Sequence, residues 1–321
     1  MRYSSTALIA AFAATNVLGH GVVTEVQGAN GVNLPGLSLI DGTPRDCPSP
    51  RCGSEADTSI IRDRELGTNR ASALGRTQGG GPVNAAAMVQ LFMDDAGANT
   101  TEVKQARVLH AANLARRAEA AADAPLEARQ LLGLLLGGKG KGKGKGGVSA
   151  AGVSTPQGTK ETAVLAATGM GAAQGLPTTS DDGTLRMMYH QVNQDGAGPL
   201  TADIDATSGG TETSAFKKAE VTMNVPGLGI GGLSAAQTMD FPVEVKMPAG
   251  MTCQGQVAGA TGVCIARLRN SALAGPFGGS VAFTQSPAAK KRAIEYNLRK
   301  RMLSKRFAAA VADEKVEEDE E

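Results

Sequence analysis

The fold is decided by the stretch TLRMMYHQV at residues 184–192, in which side chains of different character alternate along the chain. A period of two is typical of a β-strand, whose successive side chains point to opposite faces of a sheet. Four later runs show the same alternation and are separated by Gly, Pro, Asn and Asp: 219–225, 241–247, 263–270 and 280–285. Several short strands at this spacing predict an all-β fold, an antiparallel β-sandwich.

Working outward, residues 20–286 are expected to form this one domain. Val22 to Val26 alternate like a further strand, and a Gly/Pro/Asn-rich run up to Asp46 predicts loops and turns. Asn84 is suited to cap a short helix that runs through Met93. Its inward residues are expected to be Met88, Leu91 and Phe92.

Residues from about 95 to 183 predict a disordered, low-complexity insertion. An Ala/Leu/Arg segment is followed at 137–147 by glycine alternating with Lys139, Lys141, Lys143 and Lys145. Alternating Gly and Lys cannot bury enough apolar area to offset the entropy of the chain. The lysines form either a solvated linker or a docking site for an anionic surface, such as acidic polysaccharide or phospholipid.

The C-terminal segment, 287–321, predicts a basic helix followed by an acidic tail. Ile294, Leu298 and Met302 recur at helical spacing among Lys and Arg, and acidic residues dominate from Asp313 to Glu321. Dibasic steps in this segment resemble sites of secretory processing. We expect a solvated or proteolytically trimmed tail.

Residues 1–19 have the anatomy of a cleavable signal peptide, with Arg2 near the start and an apolar run from Ala7 to Ala14. No later stretch approaches the length of a transmembrane helix, so we expect a protein that is secreted, either extracellular or on the cell surface. The formal net charge of +1 gives no general attraction to nucleic acid. An extracellular polysaccharide or a host surface is the expected kind of partner.

The four cysteines form two close pairs, Cys47 with Cys52 and Cys253 with Cys264. In an exported chain such pairs indicate two local disulfides, although four cysteines permit three connectivities. A structural zinc site is the alternative, but the spacings of five and eleven residues match no common zinc motif.

A copper site is predicted from the position of His20, which becomes the first residue if the leader is cut after Gly19. A free amine and the Nδ1 atom of the same histidine can chelate one metal ion, and a second imidazole can complete three nitrogen ligands. Such ligation favours Cu(II). His190, at the end of a predicted strand, is the candidate for the third nitrogen in a solvent-open position. Alternatively His190 is an ordinary partly buried strand histidine, and His110 is expected to be exposed and uninvolved.

Several motifs resemble those of the fungal appressorium-specific, Egh-type virulence factors. They are HGVV at 20–23, GANGV at 28–32, DGTPRDC at 41–47, DTSIIRD at 57–63, NQDGAGPL at 193–200 and GPFGG at 275–279. This resemblance covers most of the chain outside the leader, the insertion and the tail. It implies a protein secreted during host penetration by a pathogenic or insect-associated fungus.

A more distant resemblance is to lytic polysaccharide monooxygenases, on the N-terminal His, the strand His and CIARLRN at 264–270 leading into GPFGG. It implies an immunoglobulin-like β-sandwich with a copper histidine brace, formed here by His20 and His190. Phe283 is then the candidate axial aromatic, with Tyr189 as the alternative. Gln191 or Gln285 would orient the oxygen species.

The chain also departs from those enzymes, many of which grip crystalline polysaccharide with surface aromatics. It has no Trp and three Tyr. Two classes of function therefore remain open at this point: a copper-dependent enzyme that cleaves cell-wall polysaccharide oxidatively, and a binding or copper-handling surface protein without catalysis.

Overall fold

A computed structural model describes residues 20–122, 148–227 and 236–318. The predicted leader and the Gly/Lys stretch at 137–147 lie outside the described residues. The strands are β1 (Gly21–Gln27), β2 (Asn33–Pro35), β3 (Ser59–Ile60), β4 (Arg76–Thr77), β5 (Gly81–Pro82), β6 (Val148–Ser149), β7 (Val153–Ser154), β8 (Thr184–Gln191), β9 (Thr201–Asp205), β10 (Phe216–Asn224), β11 (Met239–Lys246), β12 (Gly255–Val257), β13 (Ala260–Arg269) and β14 (Phe277–Thr284). The helices are α1 (Ala85–Phe92), α2 (Thr101–Ala122), α3 (Ala163–Ala166), α4 (Met170–Gln174) and α5 (Pro287–Glu318).

Eleven strands follow one antiparallel path in the order β2-β1-β8-β11-β10-β9-β13-β14-β3-β4-β5. Strand β10 joins the two halves of this path, because its residues 216–219 pair with β9 and its residues 220–223 pair with β11. The sheet curls into a half-barrel, and β1 packs against β14. A mostly antiparallel β-fold is therefore confirmed, while the immunoglobulin-like arrangement stays a prediction.

The core lies inside the curl and is built mainly from aliphatic side chains. On β8, Leu185, Met187 and Tyr189 point inward and are fully buried, as the period of two requires. The last residues of β8 are buried on both faces, because α2 and the segment containing Thr155 cover the outer side. Strand alternation alone had predicted a solvent-open outer face at this point.

The predicted disordered insertion does not hold for residues 95–122 and 148–183, which form regular structure. Helix α2 packs on α3, and β6 and β7 pair with β10 and β11. The guanidinium of Arg107 donates to the carbonyl oxygens of Ala166 at 3.1 Å and Thr168 at 2.8 Å. Buried alanines and hydrogen bonds to backbone carbonyls hold this region, together with a few larger apolar side chains such as Val103 and Leu176.

Three local predictions are confirmed. Disulfides join Cys47 to Cys52 and Cys253 to Cys264. The side chain of Asn84 accepts a hydrogen bond from the Ala87 nitrogen at 3.1 Å and caps α1, in which Phe92 is buried. The C-terminal segment is helical, as α5. None of the helices in the described ranges has the length and apolar character needed to cross a membrane.

A buried ion network ties the 148–183 region to the segment between β2 and β3. Arg45 is 3% exposed and donates to both carboxylate oxygens of Asp57, at 3.0 and 2.5 Å, and to Glu161 at 2.8 Å. Burial alone would raise the pKa of Glu161, but the charge and hydrogen bonds of Arg45 outweigh it and hold that pKa below its usual range. The network therefore stabilises the fold while Glu161 is ionised.

We predict that Arg45→Met lowers the free energy of unfolding by about 3–5 kcal/mol at neutral pH, because two buried carboxylates lose their partner. The loss is largest at neutral pH and shrinks as the pH falls, because burial without a partner raises the carboxylate pKa and protonation then removes the unpaired charge. Urea unfolding followed by circular dichroism measures both effects. Arg51→Met, at an exposed position, is the control, with a change within about 0.5 kcal/mol. Equal midpoints for the two variants would contradict the prediction.

Candidate metal centre

His20 lies directly before β1 and continues its pairing with β8. The carbonyl oxygen of His20 accepts a hydrogen bond from the Val192 nitrogen at 2.9 Å. The backbone nitrogen of His20 donates to Oδ1 of Asn193 at 2.8 Å. Both ends of the His20 backbone are thus fixed against the turn that follows β8.

The imidazole of His20 is fully buried. Its ring centroid lies 4.4 Å from that of Phe277, with 34° between the two planes. Nε2 lies 3.4 Å from the side-chain nitrogen of Gln78. Nδ1 lies 3.0 Å from Oε1 of Glu55, an ion-pair distance without hydrogen-bond geometry, so within the described part of the chain Nδ1 has no hydrogen-bond partner.

Two further polar residues surround His20. The side-chain nitrogen of Asn193 donates to Oε1 of Glu55 at 3.0 Å. Asn193, which accepts from the His20 nitrogen, is thus linked to Glu55, which lies beside the His20 ring. Asp195 is 8% exposed. Burial raises its pKa, and the nearby His20 lowers that pKa by a smaller amount. His20 therefore sits among acidic and amide groups.

His190 lies on β8 and is 1% exposed, so it is not in the solvent-open position that the sequence had indicated. Its Nδ1 lies 2.9 Å from Oδ1 of Asp240 on β11 and 3.5 Å from Oγ1 of Thr155. Arg117 on α2 donates to the other oxygen of Asp240 at 2.8 Å. Burial would raise the pKa of Asp240, but Arg117 and His190 together hold it well below its usual range.

The Nε2 atom of His190 is buried and has no hydrogen-bond partner among the described residues. A carboxylate that accepts from Nδ1–H leaves the lone pair on Nε2, which is the arrangement commonly seen in metal-ligating histidines. Nε2 of His190 is thus a buried ring nitrogen to which no described residue is hydrogen-bonded.

The strand register places the backbones of the two histidines near each other. His190 pairs with Val22, and the carbonyl oxygen of His20 accepts from the Val192 nitrogen, each two residues away from that pair. Their imidazoles have different neighbours: Phe277, Glu55 and Gln78 for His20, and Asp240 and Thr155 for His190. No cluster of three or more His, Cys, Asp or Glu side chains suited to a metal ion occurs in 20–122, 148–227 and 236–318. A brace needs only two imidazoles and a terminal amine.

The other predicted site residues have structural contacts. Tyr189 is fully buried, and its hydroxyl donates to the Gly196 carbonyl at 2.7 Å. Phe283 is fully buried on β14 opposite Cys264. The side-chain nitrogen of Gln191 donates to the Ala236 carbonyl at 2.7 Å.

Two more candidates stand elsewhere in the fold. Gln285 donates to the Met251 carbonyl and accepts from the Cys253 nitrogen, both at 2.9 Å. His110 is half-buried on α2, and its Nδ1 lies 3.3 Å from Oγ1 of Thr162. The aromatic ring that contacts His20 belongs to Phe277, which lies in the GPFGG motif and which no sequence pattern marks as a neighbour of His20.

A comparison with known proteins assigns the chain to a family. The model of the Egh16-like virulence factors matches residues 18–278, which include both histidines and every contact of His20 and His190 described above. The chain belongs to the Egh16-like virulence factor family. The predicted resemblance to appressorium-specific virulence factors is thereby confirmed.

Two relatives from Pyricularia oryzae carry the same kind of name. The chain is 67% identical to the appressoria-specific virulence factor GAS2 over 321 residues, all of both chains. It is 39% identical to the appressoria-specific virulence factor GAS1 over 142 residues, which are 43% of this chain and 53% of that one. No solved structure matches the chain.

Tyr189 has a structural role that can be tested without metal, the hydrogen bond from its hydroxyl to the Gly196 carbonyl. Because its hydroxyl donates to a buried carbonyl, we predict that Tyr189→Phe lowers the free energy of unfolding by about 1–2 kcal/mol. Denaturant unfolding measures this. Tyr296→Phe, at a residue 46% exposed, is the matched control and should not change stability. A Tyr189→Phe variant as stable as the wild type would show that the hydrogen bond contributes nothing.

Proposed function

We propose that this protein is a secreted, virulence-associated fungal surface protein that binds copper after its leader is removed. Its membership of the Egh16-like family and its likeness to appressoria-specific virulence factors support the first part. One observation carries the second: Nδ1 of His20 and Nε2 of His190 are both buried without a hydrogen-bond partner among the described residues, on neighbouring strands. With the amine of His20, they make up the ligand set of a histidine brace.

The residues present fit a copper ion. A buried polar atom without a hydrogen-bond partner costs about 1–3 kcal/mol, and a metal bond would satisfy two such atoms at once. A set of three nitrogens favours Cu(II) over the other common divalent ions. When bound, copper would supply one-electron chemistry between its Cu(II) and Cu(I) states.

The surrounding side chains would prepare the ligands. Asn193 fixes the nitrogen of His20, and Phe277 sets the plane of its ring. Asp240, itself held by Arg117, selects the tautomer of His190 whose Nε2 lone pair is free. The negative charge of Glu55 and Asp195 near His20 would favour a bound cation.

Oxidative cleavage of cell-wall polysaccharide is the second candidate function, and the resemblance of the brace motifs to lytic polysaccharide monooxygenases supports it. The burial of His190 and the absence of Trp favour copper binding without such a reaction. A copper-loaded protein that releases oxidised oligosaccharides from a glycan panel in the presence of a reductant would support the enzyme. Copper binding with no such product would support the binding protein.

We predict that mature protein beginning at His20 binds one Cu²⁺ ion in isothermal titration calorimetry. His20→Ala and His190→Ala should each weaken binding at least about tenfold, because each removes one or more nitrogen ligands. One extra glycine before His20 should weaken it as strongly, since the amine would then lie on another residue. His110→Ala is the control and should bind as wild type. Unchanged binding by the glycine-extended protein, or an exported protein that begins at another residue, would refute the brace.

We also predict that Asp240→Asn and Arg117→Met weaken copper binding about 10–100-fold and alter the Cu(II) electron paramagnetic resonance spectrum, because outer groups orient the ligand imidazole. Asp63→Asn is the matched control, since Asp63 is exposed and pairs with Arg269 far from His190 in the chain. Thermal unfolding without metal separates a positioning role from general destabilisation. A spectrum identical to the wild type in both variants would contradict the role of these residues.

A further inference from the structure

The turn before α2 presents a sequence motif that the copper site does not use. Asn99-Thr100-Thr101 is the one Asn-x-Ser/Thr triplet in the 321 residues, and its middle residue is not proline. Asn99 ends a 3₁₀ turn, Thr100 is extended at φ −65° and ψ 157°, and both Asn99 and Thr101 are exposed. The motif therefore lies on the surface in the folded protein.

The hydroxyl groups of the two threonines have different environments. Oγ1 of Thr100 accepts a hydrogen bond from the Val103 nitrogen at 3.4 Å, at the start of α2. Thr100 therefore caps α2, and the side chain of Thr101 is exposed. On the N-terminal side of Asn99, Ala98 is buried, and Oδ1 of Asp94 accepts from the Gly97 nitrogen at 3.0 Å. A group added to Asn99 would project from an anchored turn without displacing a core contact.

We propose that Asn99 carries an N-linked oligosaccharide in the exported protein. This inference rests on the proposed function, in which the protein is secreted. The donor is an oligosaccharide linked to a lipid diphosphate, transferred by the membrane-bound transferase of the secretory route. The amide nitrogen of Asn99 forms a bond to the anomeric carbon of the sugar and loses one proton. The bond from that carbon to the diphosphate oxygen breaks, and the lipid diphosphate leaves with the electron pair.

The sugar would cover an apolar face of α2. Val108 is 69% exposed and Leu109 60% exposed. They share one helical face with Thr101, since residues separated by three, four, seven or eight positions lie on the same side. At 1.5 Å per residue, Val108 lies about 11 Å along the helix from Thr101, which is within the span of an oligosaccharide core. By the same measure Arg117 lies about 24 Å away, so the sugar leaves the copper site clear.

The test uses the full chain, secreted from a eukaryotic host and treated with a peptide N-glycosidase. We expect a mobility shift on gels and conversion of Asn99 to Asp by mass spectrometry. Asn99→Gln and Thr101→Ala should abolish the shift. Thr101→Ser is the matched control and should keep it, because a serine hydroxyl also serves the motif. An unmodified Asn99 peptide from the secreted protein would overturn the inference.

The same sample distinguishes this inference from the proposed function. A protein that begins at His20 but carries no sugar overturns the sugar site and leaves the copper proposal standing. A glycosylated protein that begins elsewhere keeps the sugar site and removes the brace. The covering of α2 is tested on the folded protein with a dye that binds apolar surface. Enzymatic removal of the sugar should raise its fluorescence, and Val108→Ser with Leu109→Ser should cancel that rise. No rise on deglycosylation would overturn the covering of α2.

Discussion

The pairing of β1 with β8 is the constraint on which the rest of the structure depends. It joins the start of the described chain to a strand more than 160 residues later, and it sets Val22 opposite His190 and His20 opposite Val192. A slip of one residue would turn His190 toward the core and bring Tyr189 out, because side chains alternate with a period of two. The register is protected from both sides, since β8 also pairs with β11 along its whole length and β1 packs against β14.

Charged groups that the fold buries are partnered across long sequence distances. Arg45 holds Asp57 and Glu161, and Arg117 holds Asp240 beside His190. Arg45 thus connects Glu161 to the segment between β2 and β3, and Arg117 connects α2 to β11. A buried carboxylate with a guanidinium partner stays ionised, whereas one without it would take up a proton or destabilise the fold. This explains why a region with few large apolar side chains is nevertheless docked on the outer face of β8.

The sequence predicted what depends on neighbours along the chain. Alternation identified the strands, Asn84 identified the start of α1, and the spacing of the cysteines identified both disulfides. The curl of the sheet and the packing of α2 were not predictable, because they depend on contacts between distant segments. At the candidate site, His20 and His190 were identified by residue type and position.

The partners of the two histidines had no comparable local pattern. Glu55, Gln78 and Asp240 come from a turn, a loop and another strand, and no spacing marks them as neighbours of a histidine. The two phenylalanines of β14 also could not be told apart by a local pattern. Phe283 lies opposite Cys264 on β13, whereas Phe277 contacts His20.

The position of His20 also makes the candidate site depend on proteolysis. Before cleavage its nitrogen is an amide that donates to Asn193, and the lone pair of an amide is delocalised into the carbonyl group. Such a nitrogen is a poor ligand for Cu(II) unless it loses its proton. After the proposed cleavage the same nitrogen is an amine, whose pKa of about 8 leaves a usable lone pair near neutral pH. Folding can therefore set both imidazoles in place in the precursor, while the third ligand appears only in the exported chain. On this proposal, the uncleaved precursor lacks one of the three copper ligands because of one peptide bond.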